Sequence, residues 1–191
     1  PKILGDFCYT IDCSVLPGRR LHPSAPDYSG SISRPYWLDT THSLLEIPVT
    51  IGTVGLAGNA GEKLYRVLGS PLGMILRMPA VAVRLGIVER IRLTPEGNTL
   101  DECKRLTRTM LRDGNRVFVV SYHSPSLEPG HTPYVRDGRD LQRFLAWLKG
   151  YFDFFMGEIG GIPSTTEKIR QAALELRNAN SLPQTSALST R

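Results

Sequence analysis

The sequence predicts an α/β fold, and three observations predict it. Short runs rich in β-branched and aromatic residues alternate with segments of helical periodicity. The apolar run Val117-Phe118-Val119-Val120 follows directly on the clearest helical pattern in the chain. Polar residues of chemical interest cluster just after the predicted strands, at residues 12–17, 46–53 and 122–133, where sites lie in α/β folds.

Taken in order, residues 7–15 (Phe-Cys-Tyr-Thr-Ile-Asp-Cys-Ser-Val) favour a strand. Pro17 and Gly18 then open a long irregular stretch to about residue 43 that nevertheless carries Tyr28, Tyr36 and Trp37. Loops of that length in a compact domain are usually functional or disordered, and the aromatics argue against disorder. Residues 44–51 read as a second strand, with Pro48 restricted to an edge, bulge or end because it cannot donate to a ladder. Short helices are expected at 61–69 and 72–85, and a short β run at 90–93.

The next helix is the best specified. Thr99 and Glu102 have capping-box spacing, and Leu100, Cys103, Leu106, Met110 and Leu111 form an apolar stripe. Gly114 is placed to end it in the left-handed conformation. The following residues, 116–121, are expected to form a strand buried on both faces. A long helix over 138–157 carries Leu141, Phe144, Leu145, Leu148, Tyr151, Phe152 and Phe155 at helical spacing, a stripe that reads as core. Gly160-Gly161 ends it. Ser164 and Glu167 suggest a capping box for a last helix to about residue 178. The domain is thus expected over 1–178, with a polar, disordered tail at 179–191.

The chain has 191 residues, a net charge of +5, 41% apolar and 21% charged residues. This is an ordinary globular composition, long enough to bury roughly two-thirds of its unfolded surface. The basic residues are scattered. The densest group, at 104–112, lies on a helix with an apolar opposite face and no interleaved aromatics, so no nucleic-acid partner is expected. No run approaches the ~18 apolar residues of a membrane span. The three cysteines, Cys8, Cys13 and Cys103, have no C-x-x-C spacing and read as small buried thiols.

Several residues could carry chemistry. His123 ends an apolar run and enters a loop stiffened by Pro125, Pro129 and Pro133. It reads either as a hydrogen-bonded structural histidine or as a proton donor and acceptor. Tyr122 and Ser124 flank it. His131 reads as an exposed loop histidine. Asp12, at a predicted strand end, is either a turn former or a carboxylate that orients another group. Glu46 and Glu96 near strand ends could form a glycosidase pair. In the long loop, Asp27, Tyr36 and Trp37 suit a sugar, whose apolar face stacks while its hydroxyls bind polar groups; a loop packing its own aromatics fits as well. Phosphate loops, nucleophile elbows and H-E-x-x-H spacing are absent.

At this point the motifs resemble a known family. Tyr9-Thr-Ile-Asp12-Cys-Ser-Val-Leu-Pro17 is similar to the Y-x-x-D-S-S-V-x-P strand of polysaccharide deacetylases of the NodB-homology type. Asp27-Tyr-Ser-Gly30, Arg34-Pro-Tyr-Trp37 and Leu45-Glu-Ile-Pro-Val-Thr50 resemble the segment that follows it. Arg92-Leu-Thr-Pro-Glu-Gly97 and Ser121-Tyr-His-Ser-Pro-Ser-Leu-Glu-Pro-Gly130 are similar to the WalW-type subgroup. The resemblance covers most of residues 5–165.

It implies a distorted (β/α) barrel and metal-dependent removal of N- or O-acetyl groups from a carbohydrate. The implied divalent metal, usually zinc, polarises the acetyl carbonyl and activates water. His123 matches the family's late histidine, which protonates the leaving group. Asp12 matches an acidic residue that orients an Arg and supports the base. Beside them, Asp27, Tyr36, Trp37, Tyr122 and Ser124 are the candidate substrate-binding positions. The T-F-D-D-G and H-x-x-x-H motifs that supply the base and the metal ligands do not occur here. On this reading the chain is the C-terminal part of a barrel whose first strands and metal ligands precede Pro1, and it is inactive alone. Two readings stay beside it: a degenerate barrel that binds sugar through Tyr36, Trp37 and the loop after His123, and a glycosidase using Glu46 and Glu96. Thiol chemistry between Cys13 and His123 is a more distant one.

Overall fold

The computed structural model describes residues 2–18, 27–28, 30–39, 41, 43–55, 64 and 88–181. Apart from residue 64, the helices expected at 61–69 and 72–85 lie outside the described residues, as do His22, His42 and the tail from 182. The described strands form two small sheets with helices packed beside them, and no closed barrel is formed among them.

The first element is a helix, α1 (Lys2–Asp6), where the sequence favours extended chain just beyond. The amides of Cys8 and Tyr9 donate back to the carbonyls of Gly5 and Leu4, both at 2.9 Å, and Cys8 takes φ 60°. This wrap-up uses the backbone groups a strand would need. Phe7 and Tyr9 remain exposed, so nothing favours pleating them against a core. Only Ile11–Asp12 pairs, as β1.

β1 lies parallel to β3 (Leu45–Glu46), with Asp12 opposite Glu46. β2 (Tyr36–Trp37) flanks β3 on its other side, antiparallel, with Tyr36 opposite Glu46. β3 is therefore central, and both of its residues are buried. The strand expected over 44–51 is split: the β3 ladder ends at Glu46, single bonds from Ile47 N to Asp12 O (2.8 Å) and from Val49 N to Val15 O (3.1 Å) continue beside β1, and a ladder resumes in β4 (Ile51–Val54). Pro48, which has no amide hydrogen, sits in the break.

β4 pairs with β5 (Glu89–Arg92) in an antiparallel ladder, extended by Leu93 N donating to Thr50 O at 2.9 Å. Helix α2 (Leu100–Arg112) follows. Thr99 Oγ1 accepts from Glu102 N and Glu102 Oε2 accepts from Thr99 N, so the expected capping box is formed. At its end Gly114 takes φ 89° and donates to Leu111 O, while Asn115 N reaches back to Met110 O. This is a Schellman closure, which a Cβ at residue 114 would strain. Cys103, Leu106, Thr107 and Met110 form the buried face, with Leu100 and Leu111 half-buried at its margins. Arg105 and Arg108 on the outer face pair with Glu89 and Glu158.

Residues 116–121 are extended but join no ladder among the described residues. Val119 N donates to the Thr50 hydroxyl (2.7 Å) and Ser121 N to Leu93 O (3.1 Å). Residues 117–120 are half-buried rather than buried on both faces. A side chain and a loop take the place of the expected neighbouring strands, so one face meets the core and the other does not.

α3 (Gly138–Asp153) is capped by Asp137, which accepts from Asp140 N at 2.8 Å. It continues into a π turn, Phe154–Glu158, and Gly160 (φ 71°) ends it. Its buried face is Phe144, Trp147, Tyr151 and Phe154. Leu145 and Phe152 are exposed: the burial follows the 144-147-151-154 row, and these two lie beside it. α4 (Thr166–Ser181) starts one residue later than its expected cap. Thr165 Oγ1 accepts from Lys168 N (3.3 Å), and the Ser164–Glu167 box is not made.

The main core joins Val54, Ile91, Leu93, Cys103, Leu106, Met110, Trp147, Tyr151 and Phe154. Tyr151 stacks between Trp147 and Phe155, and its hydroxyl pairs with Thr107 Oγ1 at 2.8 Å. Each buried polar atom here thereby has a partner, as burial requires. Of the three thiols only Cys103 is buried; Cys8 and Cys13 are exposed, because the segment that holds them is largely outside the ladder. No helix among the described residues is long and apolar enough to cross a membrane.

Candidate functional site

β5 delivers the chain into a tight bend, Leu93-Thr94-Pro95-Glu96-Gly97. Thr94 Oγ1 accepts from Glu96 N (3.2 Å), Asn98 Nδ2 donates to Arg92 O (2.8 Å), and Gly97 takes φ 85°. These contacts turn the Glu96 side chain inward, where it is wholly shielded from solvent. The extended segment 116–121 runs past this bend and is fixed to it through Ser121 N on Leu93 O. His123 emerges next, at the head of a 3-10 turn, Ser124–Leu127, whose second residue is Pro125.

Glu96 and the histidine loop meet at a single carboxylate. Glu96 Oε1 accepts from His123 N (2.9 Å) and Ser126 Oγ (2.6 Å), and Oε2 lies 2.7 Å from His123 Nδ1. The Arg92 guanidinium is 3.7 Å from Oε2. Ser126 Oγ has its own second partner, Thr132 Oγ1, at 3.0 Å. Burial works to raise the Glu96 carboxyl, but the donations from Ser126 and from the His123 backbone and ring outweigh it and hold it below the usual value. An ionised carboxylate only accepts, so Nδ1 carries the proton in this contact. The ring is about two-thirds exposed, and Nε2 has no hydrogen-bond partner among the described residues.

Around this pair, Tyr122 is partly exposed and packs edge-on against Phe144 (centroids 5.4 Å apart). Ser124 is exposed. A polar cleft of about 530 Å³ lies beside Glu96, lined among others by Arg92, Thr94, Asn98 and the partly exposed Tyr134. His131, also exposed, is 3.6 Å from Glu128.

The other candidates gather on the first sheet. Asp12 Oδ1 accepts from Ser14 N (3.0 Å), the contact of a turn-forming Asp. Glu46 is fully buried: Oε1 accepts from Val15 N (3.1 Å), and Oε2 has no hydrogen-bond partner among the described residues. Its carboxyl is pushed up to about 7, first by burial and then, against the Val15 donation, by the adjacent Asp12. Tyr36 faces Glu46 across the sheet, and its phenol is raised chiefly by burial. The Trp37 ring lies under Arg170 of α4 at 5.9 Å. Asp27 is exposed.

Tyr122, His123 and Ser124 are neighbours in the chain, and the first sheet sets Asp12 and Tyr36 on either side of Glu46, with Trp37 opposite Leu45. Asp12 and His123 are not hydrogen-bonded to each other. Nor are Glu46 and Glu96: one faces Asp12 and the other holds His123. Cys13 is not paired with His123, and its thiol, although the residue is exposed, is raised by partial desolvation against the first sheet and by Glu46, Asp12 and Glu167, which opposes activation. Sequence reasoning missed the link between Glu96 and His123, and with it Ser126, Thr132 and Tyr134. The available signal was a buried-type turn, Thr-Pro-Glu-Gly, after a β run, and a Ser three residues beyond the histidine.

Among the described residues no group of three or more His, Cys, Asp or Glu side chains is arranged to hold a metal ion. The resemblance places the implied zinc ligands outside this chain, so the described residues hold no zinc site to test against it. No family model, curated protein or solved structure matches the chain.

Proposed function

We propose that this chain carries the proton-donating side of a carbohydrate deacetylase. The observation behind this reading is His123: an exposed imidazole at the head of a stiff loop, anchored through Nδ1 and open at Nε2. Its setting in Ser121-Tyr-His-Ser-Pro supports the assignment through the resemblance of that motif to polysaccharide deacetylases.

Hydrolysis of an acetamide or acetyl ester adds water to the carbonyl carbon. The C–N or C–O bond then breaks, and the departing nitrogen or oxygen needs a proton. As an imidazolium, His123 gives its Nε2 proton to that atom and remains bonded through Nδ1. Tyr122 and Ser124 flank the His123 ring where the sugar would approach, and the cleft on the other side of Glu96, which these three residues do not line, offers polar groups and the Tyr134 ring for hydroxyls and the apolar face of a neighbouring sugar unit.

The test is acetate release from acetylated chito-oligosaccharides and acetylated xylan by the full-length gene product. His123→Ala is expected to lower the rate by roughly 10²–10⁴-fold, the usual contribution of a positioned general acid. Acetate release that is indifferent to this substitution refutes the reading.

A further inference from the structure

We infer that Glu96 is the positioning residue of His123, fixing which ring nitrogen faces the reacting atoms. It deepens the deacetylase reading and rests on it only for its kinetic consequence. The resemblance gives Asp12 the task of orienting an Arg and supporting the base, and the Asp12 carboxylate accepts from Ser14 and faces Glu46. The carboxylate at the His123 ring is that of Glu96, 27 positions before the histidine.

The geometry is that of an anchor rather than a chance contact. Oε2 holds the ring at Nδ1, while Oε1 holds the backbone of the same residue and the hydroxyl of Ser126 one turn on. Rotating the imidazole about its side chain, or sliding the loop, would break a bond to one oxygen or the other. The Ser126 hydroxyl gives its proton to Glu96, so it accepts from Thr132, and this ties the far side of the loop to the same point. Pro125 and the 3-10 turn limit the remaining backbone freedom.

Three consequences follow from an ionised carboxylate in this position. It forces the Nδ1–H tautomer, because two acceptors cannot share a contact without a proton between them. Nε2 is thereby committed to the substrate side. The fixed negative charge also stabilises the positive ring present before each proton transfer, without itself taking the proton. Glu96 is fully enclosed and saturated by donors, so it acts through His123 rather than on the substrate.

Glutamine at this site has one acceptor oxygen and an NH₂ group. It cannot satisfy His123 N, Ser126 Oγ and Nδ1–H together. The experiment is a long-range ¹H–¹⁵N correlation spectrum of histidine-labelled protein, with His123 assigned by comparison with His123→Gln. Wild type is expected to show His123 as the Nδ1–H tautomer when neutral, and Glu96→Gln to move it toward Nε2–H. Glu96→Asp, which keeps the charge but not the reach, should lie between them. In the acetate assay Glu96→Gln should lower kcat roughly tenfold to hundredfold with KM little changed, as expected for a misplaced catalytic group.

A wild-type His123 in the Nε2–H form overturns the inference, and this measurement needs no Glu96 variant to fold. So does a tautomer that ignores Glu96→Gln in a protein with an otherwise native spectrum. Tautomer control by Glu96 without any acetate release would uphold the positioning and remove the deacetylase. Acetate release lost in His123→Ala but unchanged in Glu96→Gln would do the reverse.

Discussion

Replacing Glu46 by Gln should make the protein more stable at alkaline pH and leave it nearly unchanged at acid pH. The Glu46 carboxyl is wholly buried, with one oxygen bonded to Val15 N and the other without a hydrogen bond of normal geometry among the described residues, the Asp12 carboxylate being its nearest acidic neighbour. Ionising it puts a second negative charge beside Asp12 in register across β1 and β3, with Tyr36 opposite and Glu167 of α4 acting on the neighbouring Cys13. Its carboxyl is accordingly raised from 4.5 to about 7. A group whose folded value lies above its unfolded value favours the fold fully below the unfolded value. That contribution is lost as pH climbs through the folded one. The window is thus pH 4.5 to about 7. At about 1.4 kcal/mol per pH unit, the gap corresponds to about 3 kcal/mol, a large share of the 5–15 kcal/mol typical of a domain. Urea unfolding of both proteins at intervals from pH 5 to 8.5 measures it, because other titrating groups cancel in the difference. The Gln variant should gain on wild type through this window and level off above pH 8. Parallel pH curves for the two proteins would refute the argument, and would mean that water or a rearranged Asp12 serves the second oxygen.

The remaining predictions concern the second sheet and its helix. Leu106→Ala removes a side chain with no exposed surface from the main core, and should cost about 2–5 kcal/mol in urea unfolding, at the upper end if α2 and α3 cannot close the gap. Thr99→Ala removes the hydroxyl that accepts from Glu102 N and should cost about 1 kcal/mol, with increased amide exchange confined to the first turn of α2. The activity loss expected of His123→Ala and the tautomer change expected of Glu96→Gln complete the set.

What was legible in the sequence divides by how local its cause is. The capping box at Thr99 and Glu102 and the left-handed close at Gly114 depend on residues within one turn of each other, and α2 forms as expected. β5 falls within one residue of its expected place. The strand expected over 7–15 forms only in its second half, where Ile11–Asp12 pairs with β3, because backbone bonds wind Cys8 and Tyr9 onto α1 and outweigh the β preference there. Val117 to Val120 illustrate a different limit. An apolar run states that a segment is to be covered, but not by what, and here one face meets the core while the ladder is replaced by Thr50 and Leu93.

The site shows the same division more sharply. That His123 stands at the head of a stiff loop follows from Val-Val-Ser-Tyr-His-Ser-Pro alone. Which carboxylate it meets does not, because Asp12, Glu46 and Glu96 all follow β-like runs and are indistinguishable by pattern. The choice is made by tertiary hydrogen bonding: Ser121 N on Leu93 O sets the histidine loop against the Thr94–Gly97 bend, two residues from each partner or three. Once that register is set, Glu96 is the carboxylate within reach of both the His123 backbone and its ring. Glu46, one sheet away, is left against Asp12 with an unpartnered oxygen. The two acidic residues that sequence alone would pair for glycoside hydrolysis thus acquire opposite electrostatic settings, one surrounded by donors and one deprived of them. The first is suited to holding a positive ring and the second to holding a proton.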